Sequence, residues 1–313
     1  MAASEAGATP RPGRRERNHG LWLFVPWVIL SLAADLVIWF VWYPHLPPGR
    51  MSDVAAGQQF DIAVLSLCAA PVILFIWIYG VYAIVVWRHR PGDDEDGPPL
   101  QGNTRVSVAW IVGTSALVLG LFGFGTYQLA VPNGAGGGQG PSPIFKPGSI
   151  DLQVQAIGQQ WVWTYRYPQF GGFETTQLIL PEGVQIQFNV TSLDVIHSFW
   201  AYQLGVKADA NPGVNNIAYA RPTQLGTFVV RCNELCGLWH GAMFNYGRVV
   251  TPAAFMSWAR TTEARLASVT RQLPPYALTY DPTVIKTLGP VLTKLGLTGA
   301  GGGWFGPQVP VQP

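Results

Sequence analysis

Three apolar runs in the first 130 residues constrain this chain more than anything else in it. They cover roughly residues 21–42, 62–87 and 106–129. Each reaches the ~20 residues a helix needs to cross a hydrocarbon layer. Inside that layer the backbone must satisfy its own hydrogen bonds, so each run is expected as a helix. Trp and Tyr gather near the run ends, as interfacial anchors do. Composition agrees: 49% of residues are hydrophobic, 12% are charged, and there are 13 Trp. That is apolar for a soluble protein and makes the lipid bilayer the first expected partner. The formal net charge of +2 gives no reason to expect nucleic acid.

Basic residues orient the runs. Arg14, Arg15 and Arg17 precede the first, Arg88 and Arg90 follow the second, and Arg105 precedes the third. The positive-inside rule then places the N-terminus and the 88–105 loop in the cytoplasm, and everything after residue 129 outside. The first run competes with a signal-peptide reading. It is long for an h-region, and Ala33-Ala34 offers no clean cleavage site, so a retained helix is expected. Asp35 falls within this span. An intramembrane carboxylate calls for a partner or a role, and a helix partner or an outward lean is the simpler expectation.

Residues 1–20 read as a disordered polar tail. Residues 91–99 read as a charged turn, and the Gly-rich stretch 133–141 as a flexible linker. From about residue 149 the pattern changes to strands. Residues 150–157 alternate, with Ile150, Leu152, Val154 and Ala156 on one face. Residues 160–167 are aromatic, and 184–190 and 227–231 alternate again. Gly and Pro punctuate them. Many short strands with such turns predict a Greek-key β-sandwich or barrel. Residues 252–270 read as a helix, and 283–297 as one amphipathic piece. No Cys-x-x-Cys-His occurs, so no covalently attached haem domain is expected.

The segment Cys232-Asn233-Glu234-Leu235-Cys236-Gly237-Leu238-Trp239-His240-Gly241-Ala242-Met243 carries the chemistry. Two thiols, an imidazole and a thioether lie within twelve residues of a chain that has only 3 Cys, 5 His and 4 Met. Soft and borderline ligands of this kind suit copper rather than calcium or magnesium. A blue-copper site uses one Cys; two Cys four residues apart suit two coppers that share bridging sulfurs. A disulfide would leave His240, Met243 and His197 as coincidences. Cys68 lies in an apolar run and reads as inert filling.

The spacing Cys-x-Glu-x-Cys-x3-His-x2-Met resembles the dinuclear copper A loop of cytochrome c oxidase subunit II. Asp194-Val195-Ile196-His197-Ser198-Phe199-Trp200 resembles the stretch that carries that family's upstream His. Gln160-Trp161-Val162-Trp163-Thr164-Tyr165 is similar to its aromatic strand, and Leu204-Gly205-Val206-Lys207-Ala208-Asp209-Ala210-Asn211-Pro212-Gly213 to the stretch after the His. The resemblance runs from about residue 60 to 265.

It implies transmembrane helices followed by a cupredoxin-like Greek-key β-sandwich. The divisions are a tail (1–20), an extra helix or uncleaved signal (21–42), a helical hairpin (61–130), a linker (131–148), the copper A domain (149–270) and an extension (271–313). It implies that Cys232 and Cys236 bridge two coppers. His197 and Met243 would complete one copper, and His240 with the Glu234 carbonyl the other. The Glu234 carboxylate would reach a Mg²⁺ shared with the catalytic subunit, and Trp161 would admit electrons. The implied function is electron transfer, from a cytochrome c or another donor outside the membrane to haem in the catalytic subunit I of a haem-copper oxidase. The partner complex reduces O₂ and pumps protons. Eleven Lys and Arg stand against eight Asp and Glu from residue 131 onward, which favours a non-basic donor.

Two departures from the family pattern stand out. Ser107 occupies the position, three residues before Trp110, where the family often has a Glu at the mouth of a proton channel. Pro212-Gly213-Val214 stands where the family has Pro-Gly-Arg. A copper A subunit of a nitric oxide reductase, or a structural subunit of a quinol oxidase, is the alternative reading. An intact ligand set argues against the latter.

Overall fold

The computed structural model describes residues 18–88, 102–131 and 147–271. The expected tail before residue 18, the charged turn at 91–99, the linker at 133–141 and the extension after 271 lie outside the described residues. So do Arg14, Arg15, Arg17 and Arg90.

The chain divides into two compact units. One comprises residues 1–42 and 64–101, the other 43–63 and 102–313. Three helices are long and apolar enough to cross a membrane. The first span runs His19–His45: α1 (His19–Val37) continues through a π-helical turn (Ile38–Trp42) and a short 3₁₀ turn (Tyr43–His45). Asn18 caps α1 by accepting from the Leu21 amide at 3.1 Å. α2 (Asp53–Val86) and α3 (Thr104–Ala130) follow. Asn103 caps α3 through bonds from the Arg105 and Val106 amides.

Within the first unit α1 is fastened to α2. The Trp27 indole N–H donates to the Pro71 carbonyl at 2.8 Å, and its ring meets Phe75 edge-on. His19 Nδ1 lies 2.7 Å from the Tyr82 hydroxyl.

α2 begins at Asp53, well before its apolar run. The added turns carry Gln58 and Gln59, which face protein rather than lipid, and this polar content hid them from a search for apolar runs. Ser52 caps the helix, accepting from the Ala55 amide at 3.0 Å while its hydroxyl donates to the Leu204 carbonyl at 2.6 Å. Asp53 exchanges bonds with the Arg221 backbone, and the Gln58 amide donates to the Gly205 carbonyl at 2.7 Å. The helix start is thereby clamped to the β-domain.

That domain is a sandwich of two five-stranded sheets. In chain order the strands are β1 (Leu152–Gln159), β2 (Val162–Tyr167), β3 (Phe173–Thr175), β4 (Leu178–Pro181), β5 (Ile186–Ser192), β6 (His197–Ala201), β7 (Val206–Ala210), β8 (Asn216–Ala220), β9 (Gly226–Cys232) and β10 (Phe244–Val250). The sheets read β3-β2-β1-β5-β8 and β4-β10-β9-β6-β7. β1 pairs parallel to β5, and β4 parallel to β10; the other ladders are antiparallel. Non-consecutive neighbours such as β1–β5 and β6–β9 make it a crossed, cupredoxin-like sandwich.

Alternation puts Leu152, Val154 and Ala156 of β1 and Trp163, Tyr165 and Tyr167 of β2 inward, against Phe199, Phe228 and Val230. Burial of each large side chain stabilises by about 1.5–3 kcal/mol. Two buried phenols stitch the sheets. The Tyr167 hydroxyl donates to the Ile179 carbonyl and accepts from its amide, both at 2.9 Å, and Tyr165 donates to Asn245 at 2.9 Å. Burial pushes both phenols well above their usual range, so they stay neutral donors. α4 (Pro252–Thr270) closes the edge near β3 and β4, capped by Thr251 and started by Pro252. Trp258 meets Tyr167 and Phe173 edge-on.

Candidate metal centre

The ligating residues gather at one end of the sandwich. His197 opens β6 and Cys232 closes β9, neighbouring strands paired through Phe199 and Cys232. The loop after Cys232 folds back at once: the Cys232 amide donates to the Met243 carbonyl at 3.0 Å, and a short 3₁₀ turn (His240–Ala242) delivers Met243 into β10. Gly237 sits at φ 114°, a conformation L side chains rarely adopt, and a Cβ there would stand 3.0 Å from the Gln160 amide nitrogen. Gly158 of β1 leaves space for the His197 ring, since a Cβ would lie 3.0 Å from it.

His197, Cys232 and Cys236 place their ligand atoms within 4.8 Å of one another, all three buried. The two sulfurs are 3.7 Å apart and both thiols are free. Cys232 Sγ lies 3.7 Å from His197 Nδ1 and 3.2 Å from the Glu234 carbonyl oxygen. Cys236 Sγ lies 3.5 Å from His240 Nδ1 and 3.8 Å from Met243 Sδ. Donors that share one metal at the ~2.0–2.3 Å bond lengths of imidazole and thiolate stand about 3.5–3.8 Å apart. The spacings therefore fit a metal-sharing set. The structure assembles His197, Cys232, the Glu234 carbonyl, Cys236, His240 and Met243 at one point. The Glu234 carboxylate belongs to an exposed residue.

Trp161 is half-buried, and its indole N–H donates to the Cys236 carbonyl at 3.2 Å. Gln160 donates to the same oxygen at 2.8 Å. Asp194 is the residue that sequence reasoning missed. Its carboxylate meets His197 Nε2 at 2.8 Å and accepts from the Gln160 and Val195 amides, both at 2.6 Å. Donation from Nε2 leaves the Nδ1 lone pair turned toward the sulfurs, so Asp194 selects the metal-binding tautomer. Its place three residues before His197 was the available signal.

Electrostatics divide the thiols. Burial raises Cys232, but hydrogen bonds with His197 and with the backbone at Glu234 and Ser198 outweigh it and bring the group to about 6. Burial, together with the Cys232 thiolate beside it, pushes Cys236 up to about 12. Burial works against the charged form of His197, yet Cys232 and Asp194 shift it upward overall. Asp194 is held below its usual range: burial opposes this, and the Gln160 amide and His197 override it. The site thus makes Cys232 the more acidic of the two thiols.

A family model described as cytochrome C oxidase subunit II, periplasmic domain, matches residues 172–249. Cytochrome c oxidase subunit 2 of Thermostichus vulcanus is 30% identical over 77% of this chain and 87% of its own length. The chain belongs to the cytochrome c oxidase subunit II family. The Synechocystis subunit 2 is 25% identical over 87% of this chain and 94% of its own length. Among solved structures, the periplasmic domain of subunit II of cytochrome oxidase from Bradyrhizobium japonicum is 34% identical, covers 37% of this chain and 96% of its own, and has a TM-score of 0.36. Membership makes the chain part of a haem-copper oxidase and a membrane protein with an exterior domain. It also makes copper the metal the family implies for the cluster.

Proposed function

We propose that this chain is the electron-entry subunit of a respiratory terminal oxidase. It takes electrons outside the plasma membrane and passes them to haem in the catalytic subunit, where O₂ is reduced and protons are pumped. The convergence of six donors from β6, β9 and one loop at metal-sharing distances carries this reading. Two bound coppers sharing the thiolates would supply reversible one-electron chemistry with little change in geometry.

The chain's own residues do the rest. Cys232 and Cys236 would be shared between the two coppers, with His197 and Met243 holding one of them and His240 and the Glu234 carbonyl the other. Asp194 holds the His197 ring, and the buried aromatic core behind it keeps the ligands from relaxing. The Glu234 carboxylate, on the exposed side of the loop, is suited to a Mg²⁺ shared with the catalytic subunit. Trp161, bonded to the ligand loop through the Cys236 carbonyl, is the entry point for electrons.

Exposed apolar side chains surround the ligands: Val195, Ile196, Leu235, Leu238 and Trp239. With the basic excess of the outer part, they support a donor that docks by apolar contact and is not strongly basic, such as a tethered or acidic cytochrome c domain. The sandwich would then face the periplasm.

Rapid mixing of the intact complex with a reduced donor tests the reading. The copper absorption should bleach before haem is reduced, and Trp161→Ala should slow that bleaching at least tenfold with the copper spectrum unchanged. Haem reduction ahead of the copper band would contradict it.

A further inference from the structure

The segment joining the first two spans carries a charge that electron transfer does not use. Arg50 is the single Lys or Arg in residues 43–63. Thr223 ties its backbone to the β-sandwich: the hydroxyl donates to the Arg50 carbonyl at 3.1 Å, and the Thr223 amide to the Met51 carbonyl at 2.8 Å. The side chain is fixed too. Nε donates to Gln59 Oε1, and Gln59, only 1% exposed, donates to the Leu46 carbonyl at 2.6 Å. The guanidinium lies 4.8 Å from the Tyr43 ring centre, a cation–π contact, and Tyr43 meets Phe60 edge-on. Tyr43 directly follows the first apolar run, and Gln59 stands about one helical turn before the second. The guanidinium is thereby set at the edge of the hydrocarbon layer, at the level of lipid headgroups. Arg50 is exposed, and among the described residues Gln59 is the one acceptor its side chain meets, so both Nη groups stay open. The positive-inside rule makes basic residues scarce on this side of a membrane. An Arg braced there with an open fork calls for an anion.

We propose that Arg50 binds the phosphate of an anionic phospholipid in the outer leaflet, its two Nη groups donating to two phosphate oxygens. A guanidinium suits this better than an ammonium, because its fork matches two oxygens at once. The surroundings favour an anionic over a zwitterionic headgroup. Both carboxylates of the segment are engaged: Asp53 accepts from the Val54 and Arg221 amides, and Asp61 from Gln128 at 2.7 Å. A choline or ethanolamine cation therefore finds no free acid in this segment. Binding there does not depend on copper.

Native mass spectrometry of the full chain in mild detergent, with phosphatidylglycerol or phosphatidylcholine added, tests this. The unsubstituted chain should retain one phosphatidylglycerol in preference to phosphatidylcholine. Arg50→Gln should weaken that retention roughly tenfold. Arg50→Lys keeps the charge but loses the fork, so its retention should fall between the two. Should Arg50→Gln misfold, by circular dichroism, Arg50→Lys decides alone. Undiminished retention of phosphatidylglycerol by Arg50→Gln or Arg50→Lys overturns the proposal. So does equal retention of both lipids by the unsubstituted chain, or displacement of the lipid by inorganic phosphate as readily as by added phosphatidylglycerol.

Discussion

At the scale of single residues, the division of the two thiols has a measurable consequence. Copper binding needs both sulfurs as thiolates. Cys236, pushed up to about 12, must lose its proton on binding at any ordinary pH. Cys232, at about 6, is already ionised above that value and must lose a proton only below it. His197, shifted upward, must also give up any proton it holds. Apparent affinity should therefore rise at least about tenfold per pH unit at neutral and higher pH, and more steeply as pH falls through the His197 and Cys232 ranges. Competition with a copper chelator across pH measures this; a flat profile would show that both thiols are already ionised, contradicting the raised Cys236. Asp194→Ala frees the His197 ring, and copper affinity should fall roughly 10- to 100-fold; unchanged affinity would remove Asp194 from the site's support. Ser107 is exposed at the start of α3. A hydroxyl does not hold a proton near neutral pH as a carboxylate does. Ser107→Ala should therefore leave turnover of the complex nearly unchanged, and a large loss with normal copper would make Ser107 part of the proton path.

At the scale of elements, the clamp between the start of α2 and the turn joining β6 to β7 is the most exacting feature. Gly205 has φ 65°, and a Cβ there would stand 2.9 Å from the Ala55 Cα. Gly205→Ala should cost about 1–3 kcal/mol, read as a fall in unfolding temperature. An unshifted transition would mean that α2 is not held there. How far the elements were legible in the sequence follows from their patterns. β1, β5 and β9 were readable because their apolar residues alternate, β2 because it is aromatic, and α4 because Ala254, Phe255, Trp258 and Leu266 fall at helical spacing. β6 is buried on nearly every residue, so its period disappears. β10 points Phe244 and Tyr246 outward, which inverts the usual signal. β7 alternates, but small Ala residues weaken the contrast. The ligand loop was legible because its donors fall within twelve residues. The Gln160 and Asp194 supports were not, because Gln160 reaches the loop from the turn after β1 and Asp194 only gains meaning once β6 lies beside β9.

At the scale of the whole molecule, three candidate spans and a sandwich carrying a candidate metal cluster fit the membrane-anchored relay proposed above. A donor that docks on the apolar rim should show turnover that changes little as salt is raised from roughly 10 to 200 mM. A steep fall with a strongly basic cytochrome c would instead reveal an acidic docking patch. Everything else depends on the paired metal. Electron paramagnetic resonance of the purified, copper-loaded chain tests it most directly. The expected result is two coppers per chain and a hyperfine pattern from one electron shared equally by both nuclei, abolished by Cys232→Ser or Cys236→Ser; the spectrum of a single localised copper would contradict the dinuclear centre.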